Sequence, residues 1–261
     1  ADVFSPTNKN NSESIFEVQY KAGNDGQQSD FIWRFIPKTT NTEAILGLHG
    51  TNQRGGITSG GWNVPTQEMV SSYESGDKRL PASIGVAIGT QTGDSFTISS
   101  VVSSVNFTPP AGKTFYYFIN KYVYPPYTVE WNTDQNWPVY RYSGALLLLA
   151  ECLVKQGKNG EALPYLNQVR KRAGLANLAS ANDDNVANEM RHELAFENHR
   201  WTDLVRNGKA VETLNAKGKQ LKSLYGWLLP ASFNVTNNRL IYAIPSREVQ
   251  INSNLVQNPG Y

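Results

Sequence analysis

The fold is decided by residues 140–175, which read YRYSGALLLLAECLVKQGKNGEALPYLNQVRKRAGL. In the first half, apolar and small side chains recur at the three- and four-residue spacing of a helix that packs on one face. These side chains are Tyr142, Ala145, Leu146, Leu149, Cys152 and Leu153. After a polar turn at residues 157–160, a second helix begins near Glu161 and ends at Gly174, a residue typical of helix C-termini. The sequence therefore predicts an antiparallel helical hairpin of about the length of a tetratricopeptide unit.

A single hairpin of this kind cannot bury both of its faces, because helical repeats are stabilised by their neighbours. We therefore expect the helical-repeat half that would complete it to lie upstream, outside this chain. Because an apolar face then stays uncovered, we expect the 261 residues alone to be poorly stable or to associate. Cys152, the only cysteine, falls in the apolar run and is expected to be buried.

Three further helices are predicted downstream, at residues 183–198, 200–206 and 209–216. The first of them presents an apolar face formed by Val186, Met190 and Leu194. Residues 240–245 are predicted to form a strand. The irregular tail at residues 252–261 is expected to dock on the protein, because it is rich in turn-forming residues.

Residues 1–137 are denser in Gly, Pro, Asn, Ser and Thr than residues 138–261, so we divide the chain between them. Alternating or β-forming side chains predict short strands at residues 13–20, 31–36, 95–102 and 115–123. Residues 47–61 are predicted to form a long loop, and Thr66 is predicted to cap a short helix at residues 67–73. The expected fold class is mainly α, with a tetratricopeptide-like helical hairpin and a loop-rich region of short β-strands.

Composition excludes several classes of partner and cofactor. The chain has 24 basic and 22 acidic side chains, which provide no electrostatic footprint for nucleic acid or for an anionic membrane surface. One cysteine permits neither an intramolecular disulfide nor a multi-thiolate metal site. No apolar run approaches the roughly 20 residues that span a bilayer. We therefore predict no nucleic-acid partner, no metal and no cofactor.

The search for catalytic groups gives one weak candidate. His192 and Glu193 resemble the start of a zinc-binding helix, but Phe196 stands where a second histidine is required. Glu189, Glu193 and Glu197 recur every four residues and could form a carboxylate pair for acid–base chemistry. An ion-pair network is the favoured alternative, with the nearby arginines Arg191, Arg200 and Arg206 and with Asp203 three residues before Arg206. Nucleophile-elbow and phosphate-loop signatures are missing, so we predict no enzyme and no catalytic residue.

Loop aromatics are the best candidates for a binding surface, because sugar rings present C–H faces that stack on indole and phenol rings. The loop aromatics are Trp33, Trp62, Tyr73, Tyr127, Trp131 and Trp137. Burial in the core is the alternative for most of these rings, and Trp62 differs because little apolar sequence surrounds it. Neighbouring amide and guanidinium groups can bind sugar hydroxyls. The predicted ligand-binding residues are Trp62, Asn52, Arg54, Gln53, Trp33 and Tyr73.

Three segments together resemble the SusD/RagB family. Residues 140–175 are followed by residues 189–208, EMRHELAFENHRWTDLVRNG, and the chain closes with residues 242–261, YAIPSREVQINSNLVQNPGY. The resemblance is close over residues 137–261. It is looser over residues 4–20 and 62–79, and the region between diverges.

The resemblance implies an outer-membrane lipoprotein of Bacteroidetes, exposed at the cell surface, that captures glycans or other nutrients. Family members are longer, and their amino-terminal half contains tetratricopeptide-like helices and the lipidated cysteine, so any membrane association is expected through a lipid anchor outside this chain. The implied partner is a SusC-like TonB-dependent transporter, on which the protein would sit as a hinged lid. Binding residues vary within the family, so none is transferred to this sequence.

Three functional hypotheses follow from the sequence. Glycan capture by loop aromatics is favoured by the resemblance and by residues 52–62. A peptide- or protein-binding helical-repeat receptor of the same uptake type is the alternative, in which a polypeptide fills the concave face of the repeats. An enzyme comes third and depends on Glu189, Glu193 and Glu197 alone.

Overall fold

The computed structural model of the chain describes residues 2–50, 53–54, 57–58 and 60–261. The chain divides into two compact units, which we call unit 1 (Ala1–Glu197) and unit 2 (Asn198–Tyr261). Each unit is considered by itself. The division at residue 138, which was derived from composition, stays a prediction.

Unit 1 combines short helices and strands with a longer helical hairpin. Its helices are α1 (Ile32–Phe35), α2 (Glu43–Leu46), α3 (Gln67–Ser72), α4 (Arg79–Ser83), α5 (Tyr142–Lys155), α6 (Asn159–Ala173) and α7 (Asp183–Glu193). Its strands are β1 (Ser14–Val18), β2 (Gln53–Arg54), β3 (Ile57–Thr58), β4 (Ile84–Thr92), β5 (Ser95–Ser103), β6 (Thr114–Ile119) and β7 (Trp137–Arg141). A single 3-10 turn at Asp2–Phe4 precedes them.

An antiparallel sheet with the strand order β5-β4-β6 forms one wall of the unit 1 core. Its central strand is buried from Ile84 to Gly89. Two glycines allow close packing there, because a Cβ at Gly85 would collide with the Phe118 ring and one at Gly89 with the Thr97 backbone. We did not predict β4 from the sequence, because a strand buried on both faces shows a continuous apolar run without alternation.

Strands β1 and β7 pair antiparallel, so residues far apart in sequence meet at the start of the helical hairpin. Ser14 lies opposite Arg141, and the Tyr142 backbone N–H donates to the Glu13 carbonyl at 2.8 Å. This confirms the predicted strand near residues 13–20. The pairing also places the Glu13 carboxylate beside the Arg141 guanidinium, 3.3 Å apart.

The predicted hairpin is present as α5 and α6, and Gly174 ends it in the left-handed conformation at φ 85°. The phase of α5 differs from the prediction. Its buried face consists of Ser143, Gly144, Leu146, Leu147, Ala150 and Glu151. Tyr142, Leu149 and Cys152 are exposed, so the prediction of a buried Cys152 was wrong. Four consecutive leucines offer apolar surface in every direction, so spacing alone could not fix which face turns inward.

Several shorter predictions are settled by the backbone. Thr66 caps α3 by accepting a hydrogen bond from the Met69 N–H at 3.1 Å, as predicted. Residues 31–36 form the helical turn α1, so the strand predicted there was wrong. The loop predicted at residues 47–61 contains the paired strands β2 and β3. Helix α7 ends at Glu193, five residues early, and Phe196 and Asn198 then adopt positive φ of 66° and 67°.

Unit 2 contains α8 (Arg200–Arg206), α9 (Ala210–Leu224) and α10 (Ser246–Ile251), with a 3-10 turn at Asn237–Leu240. Helix α9 is longer than predicted. The strand expected at residues 240–245 was wrong, since this segment is irregular. The tail is docked as predicted, because the Gln257 side chain bonds both backbone groups of Ile244 at 2.8 Å.

Among the described residues, none of the helices has both the length and the apolar composition needed to cross a membrane.

Candidate functional site

The three glutamates at four-residue spacing lie in a buried charge cluster. Glu189, Glu193 and Glu197 are each at most 4% exposed. Arg79 bonds Glu189 at 2.6 Å and Glu193 at 3.3 Å, and Arg170 bonds Glu189 at 3.1 Å. All three carboxylates are therefore enclosed by protein partners, and none is placed to meet a substrate.

The centre of the charge cluster is Arg141, whose side chain is 3% exposed. Its guanidinium donates to Glu197 at 2.7 Å and to Glu193 at 3.1 Å. Lys121 completes this part with a 2.7 Å contact to Glu197 and a 2.8 Å hydrogen bond to the Ala195 carbonyl. Since an unpaired buried charge is costly, these mutual contacts hold the end of α7 in place.

The partners of the glutamates differ from the predicted ones. They are Arg79, Arg141, Arg170, Arg172 and Lys121. Of the arginines named from sequence, Arg191 pairs with Glu68 and Arg206 with Asp203. Helical spacing reveals only neighbours on one helix, whereas most of the partners come from distant segments. The prediction of ion pairs was therefore right in kind and right for Arg206 and Asp203, but it named the wrong partners for the three glutamates.

Within the charge cluster, the pKa of Glu193 is lowered and that of Glu189 is raised. Burial opposes ionisation of Glu193, but the charges of Arg141, Arg172 and Arg79 outweigh it and hold its pKa below the usual range. Burial dominates at Glu189, where it raises the pKa despite Arg79 and Arg170.

His192 lies beside the charge cluster and is a structural residue. Burial, reinforced by the positive charges of Arg79 and Arg191, lowers its pKa to about 4. Its Nε2 atom lies 3.0 Å from the Ser72 hydroxyl oxygen, and its ring centroid is 4.5 Å from that of Tyr73. These contacts hold the imidazole in its neutral form between α3 and α7.

Two of the predicted ligand-binding rings lie in the core. Trp33 is fully buried and stacks on Trp131 with ring centroids 5.6 Å apart. Tyr73 is also buried, and its hydroxyl donates to the His192 carbonyl at 3.4 Å. Neither ring offers a face to a ligand. Both are placed by apolar packing, which was the stated alternative for most loop aromatics.

Trp62 is different, because 51% of its surface is exposed. Its backbone N–H donates to the Arg34 carbonyl at 2.9 Å, and the Gly61 N–H donates to the Ile36 carbonyl at 2.7 Å. Both bonds attach the loop to α1. Gly61 has φ 69°, a conformation that glycine adopts without strain. The indole is therefore presented on a fixed backbone.

The Arg34 guanidinium connects the exposed ring to the core. It lies 5.0 Å from the Trp62 ring centroid and 6.0 Å from that of Trp131. Asp30, one turn earlier, holds it through a 3.1 Å ion pair. Trp62, Arg34, Trp131 and Trp33 thus form a continuous stack, which we call the Trp62 stack. Sequence reasoning missed Arg34 and Asp30, although their i,i+4 spacing is a recognisable ion-pair signal.

The polar candidates Gln53 and Arg54 lie between Gly50 and Trp62 in sequence. A Cβ at Gly50 would approach the Glu130 carboxylate to 2.7 Å, next to Trp131. Gln53 and Arg54 form β2, with Gln53 opposite Thr58 in the pairing with β3. Asn52 lies outside the described residues.

Comparison with known proteins gives consistent results. The SusD family profile matches residues 12–261. The chain is 32% identical to the SusD-like protein P38 of Formosa agariphila over 141 residues, which are 49% of this chain and 25% of that protein. It is 31% identical to the starch-binding protein SusD of Bacteroides thetaiotaomicron over 131 residues, 49% of this chain and 22% of that protein.

A solved structure described as a laminarin-binding SusD-like protein superimposes on the whole chain, with a TM-score of 0.65 and 26% identity. The match covers 100% of this chain and 52% of that one. The chain therefore spans about half the length of this relative, and less than half of the two curated proteins is matched. The match confirms the predicted fold class, mostly helical with short strands.

Proposed function

Because this chain belongs to the SusD family, whose members bind ligands without catalysis, we propose that it captures a glycan at the bacterial cell surface through the Trp62 stack. The family includes surface glycan-binding proteins, among them proteins that bind laminarin or starch. The enzyme hypothesis based on the three glutamates is withdrawn, since non-catalytic binding is the activity of the family. The observation that carries the proposal is a half-exposed indole fixed to α1.

The geometry of Trp62 suits a sugar ring. Arg34 covers the ring on one side, and about half of the indole surface remains open to solvent. The C–H face of a pyranose can stack on the open part, with the apolar area removed from water as the driving force. Because the successive Gly61 and Trp62 N–H groups are both bonded to carbonyls of α1 and its C-cap, little conformational entropy is lost on binding.

Orientation of the sugar requires polar groups beside the ring. We assign this role to Asn52, Gln53 and Arg54, whose amide and guanidinium groups can bind sugar hydroxyls. Trp33 leaves the predicted set as a direct contact and supports the stack from beneath, through Trp131. Tyr73 leaves it altogether, since it packs on His192.

The net charge of the Trp62 stack favours a neutral glycan. Within the Trp62 stack itself, Arg34 is balanced by Asp30 at 3.1 Å, so the four stacked residues and Asp30 together carry no net charge. Laminarin and starch, the ligands given for the two relatives, are glucose polymers. We therefore include a neutral glucan in the proposal as the preferred ligand.

The proposal also includes delivery of the glycan to a transporter and attachment of the protein to the cell surface. In it, the protein passes the glycan to a SusC-like TonB-dependent transporter of the outer membrane, and a lipid anchor outside these residues attaches it to the cell surface. Family membership supports both statements. Copurification of the transporter with the intact lipoprotein from outer-membrane extracts would test them.

The glycan proposal is tested by affinity gel electrophoresis against laminarin, starch and other neutral polysaccharides. We expect one neutral glucan to retard the protein and Trp62→Ala to weaken that retardation roughly tenfold, because the stacking surface is lost. Trp227→Ala, at an exposed tryptophan of unit 2, is the matched control and should leave retardation unchanged.

Circular dichroism must show that both variants are folded. Retardation by none of the glycans, together with binding to a peptide library, would replace the proposal with the peptide receptor. Equal loss in both tryptophan variants would show that the Trp62 stack is not the site.

A further inference from the structure

We propose that unit 2 contains a second binding site, specific for an anionic saccharide, at the turn that follows α9. This site, which we call the Trp227 turn, consists of residues 225–228 and a cavity lined by residues that precede and follow them in the chain. It shares no residue with the Trp62 stack. It does not depend on the neutral-glycan proposal, because both its residues and its ligand class are different.

The Trp227 turn presents two aromatic rings to solvent. Trp227 is 76% exposed and Tyr225 is 47% exposed. Their ring centroids are 5.9 Å apart and their planes are inclined by 39°. An indole this exposed leaves apolar surface in water at a cost that packing could have avoided. The paired rings therefore form a stacking platform that is accessible to a ligand.

The backbone holds this platform in place. The Tyr225 N–H donates to the Leu221 carbonyl at 2.9 Å and closes α9, and the Leu228 N–H donates to the Tyr225 carbonyl at 3.1 Å. These two bonds set the direction in which the chain leaves the helix. Because Trp227 lies between them, its backbone is fixed before any ligand arrives, which limits the entropy lost on binding.

A solvent-open cavity of about 570 Å³ adjoins the turn on both sides in sequence. Lys222, three residues before Tyr225, and Pro230, three residues after Trp227, both line it. The Asn215 side chain holds the two walls together by bonding both backbone groups of Val235, at 2.9 and 2.8 Å. The volume is large enough for a sugar unit.

The cavity wall is polar and basic. Lys219, Lys222, Asn234 and Thr236 contribute ammonium, amide and hydroxyl groups, and none of the described lining residues is acidic. The Lys222 ammonium donates to the Pro230 carbonyl at 2.8 Å and lies 3.3 Å from the Asn234 amide oxygen. An ammonium group has three N–H donors, so one remains for a ligand.

The sequence around the cavity is uniformly basic. Between residues 213 and 247 there are five basic side chains and not one acidic side chain, although the whole chain has a formal charge of only +2. The five are Lys217, Lys219, Lys222, Arg239 and Arg247. Such a local excess attracts an anion. A stacking platform, hydroxyl-binding groups and positive charge together fit a sugar that carries a carboxylate or a sulfate ester.

An anionic membrane surface is the main competitor, because Leu224 and Leu229 flank the turn and are 65% and 69% exposed. The polar lining of the cavity argues against it, since acyl chains gain nothing from amide and hydroxyl groups. Nucleic acid is disfavoured by the nearly balanced charge of the whole chain. The saccharide is therefore the occupant that uses all of the observed groups.

The test measures binding of the full chain to dextran, dextran sulfate and polygalacturonate, and to vesicles of phosphatidylcholine with phosphatidylglycerol. We expect one or both anionic polymers to bind and neutral dextran not to. Trp227→Ala leaves the charge unchanged and should weaken this binding by about five- to tenfold, through loss of stacking. Lys222→Gln should weaken it and reduce its salt dependence.

Two control variants distinguish a specific binding site from nonspecific electrostatic attraction. Lys113→Gln removes an exposed lysine of unit 1 and should have no effect beyond the loss of one charge. Trp62→Ala should leave anionic binding intact even where it abolishes binding of neutral glycan. Equal binding of wild type and Trp227→Ala to both anionic polymers would overturn the proposal. So would vesicle binding that depends on Trp227 in the absence of polysaccharide binding.

Discussion

Two arginines of unit 1 are placed in opposite surroundings. Arg141 is buried and its guanidinium is used up by carboxylates, including Glu193 and Glu197. Arg34 is half-buried and lies over the exposed indole of Trp62. The first arrangement fixes the fold, because no donor is left for a ligand. The second shapes a surface, because the cation orients a ring that solvent can still reach. Burial decides which of these roles a guanidinium takes.

The largest effect is expected from removing the buried arginine. Arg141→Met should lower the free energy of unfolding by about 3–5 kcal/mol, because Glu193 and Glu197 would lose a central partner in a site with little water. Urea unfolding followed by circular dichroism measures this. Arg247→Met, at an exposed arginine, is the control and should change stability by less than about 0.5 kcal/mol. Similar midpoints for the two variants would show that the charge cluster is not central to stability.

Acid should destabilise unit 1 through His192 before Glu193 and Glu197 titrate. His192 has a pKa of about 4 in the folded protein and about 6.5 when unfolded, so the unfolded state binds more protons between these values. Stability should therefore fall as pH decreases from 6.5 to 4, by up to about 1.4 kcal/mol per pH unit. From about pH 4.5 downward, the lowered pKa values of Glu193 and Glu197 add to this loss. The raised pKa of Glu189 acts in the opposite sense near its usual value of 4.5.

Thermal unfolding measured at half-unit pH steps gives this profile. His192→Gln keeps a hydrogen-bonding group beside Ser72 and cannot titrate, so its profile should be flatter between pH 6.5 and 4. Parallel profiles for the variant and the wild type would assign the acid sensitivity to other groups.

The smallest effect is expected at the surface arginine. Arg34→Gln should weaken glycan binding by about two- to fivefold, because an exposed cation–π contact contributes roughly 0.5–1 kcal/mol. Arg34→Lys preserves the charge and should lose less. Stability should change little in either variant. A loss as large as that of Trp62→Ala would indicate that the guanidinium binds the sugar directly.

The helical part of the fold was readable from sequence because its signals are local. Gly174 ends α6 where the pattern predicted, and Thr66 caps α3 through a bond within one turn. The phase of α5 was not readable, because Leu146 to Leu149 present apolar surface all round and only tertiary contacts choose between them. Strand β4 was missed for a related reason, since burial on both faces removes the alternation that marks a strand.

The candidate site was predictable only in part. Trp62 stands in polar sequence, and this correctly predicted that its ring is exposed. Trp33 and Tyr73 were nevertheless included among the predicted ligand-binding residues, although both rings are buried. The partners of the buried charges could not be predicted from the sequence, because residues such as Arg79 and Glu189 are 110 positions apart in the chain. Ion pairs at such separations depend on the tertiary fold, and no spacing pattern in the sequence indicates them.

The exposure of Cys152 gives the chain a single chemical handle. It is the only thiol in the sequence, and it lies on the exposed face of α5, three residues after the exposed Leu149. A maleimide dye or a spin label will therefore attach at one known position without mutagenesis. The rate of that reaction also reports on the surface around it, because any polypeptide that covers the outer face of α5 slows modification of the thiol. The labelling rate of Cys152 therefore reports whether a polypeptide packs against α5 of the helical hairpin.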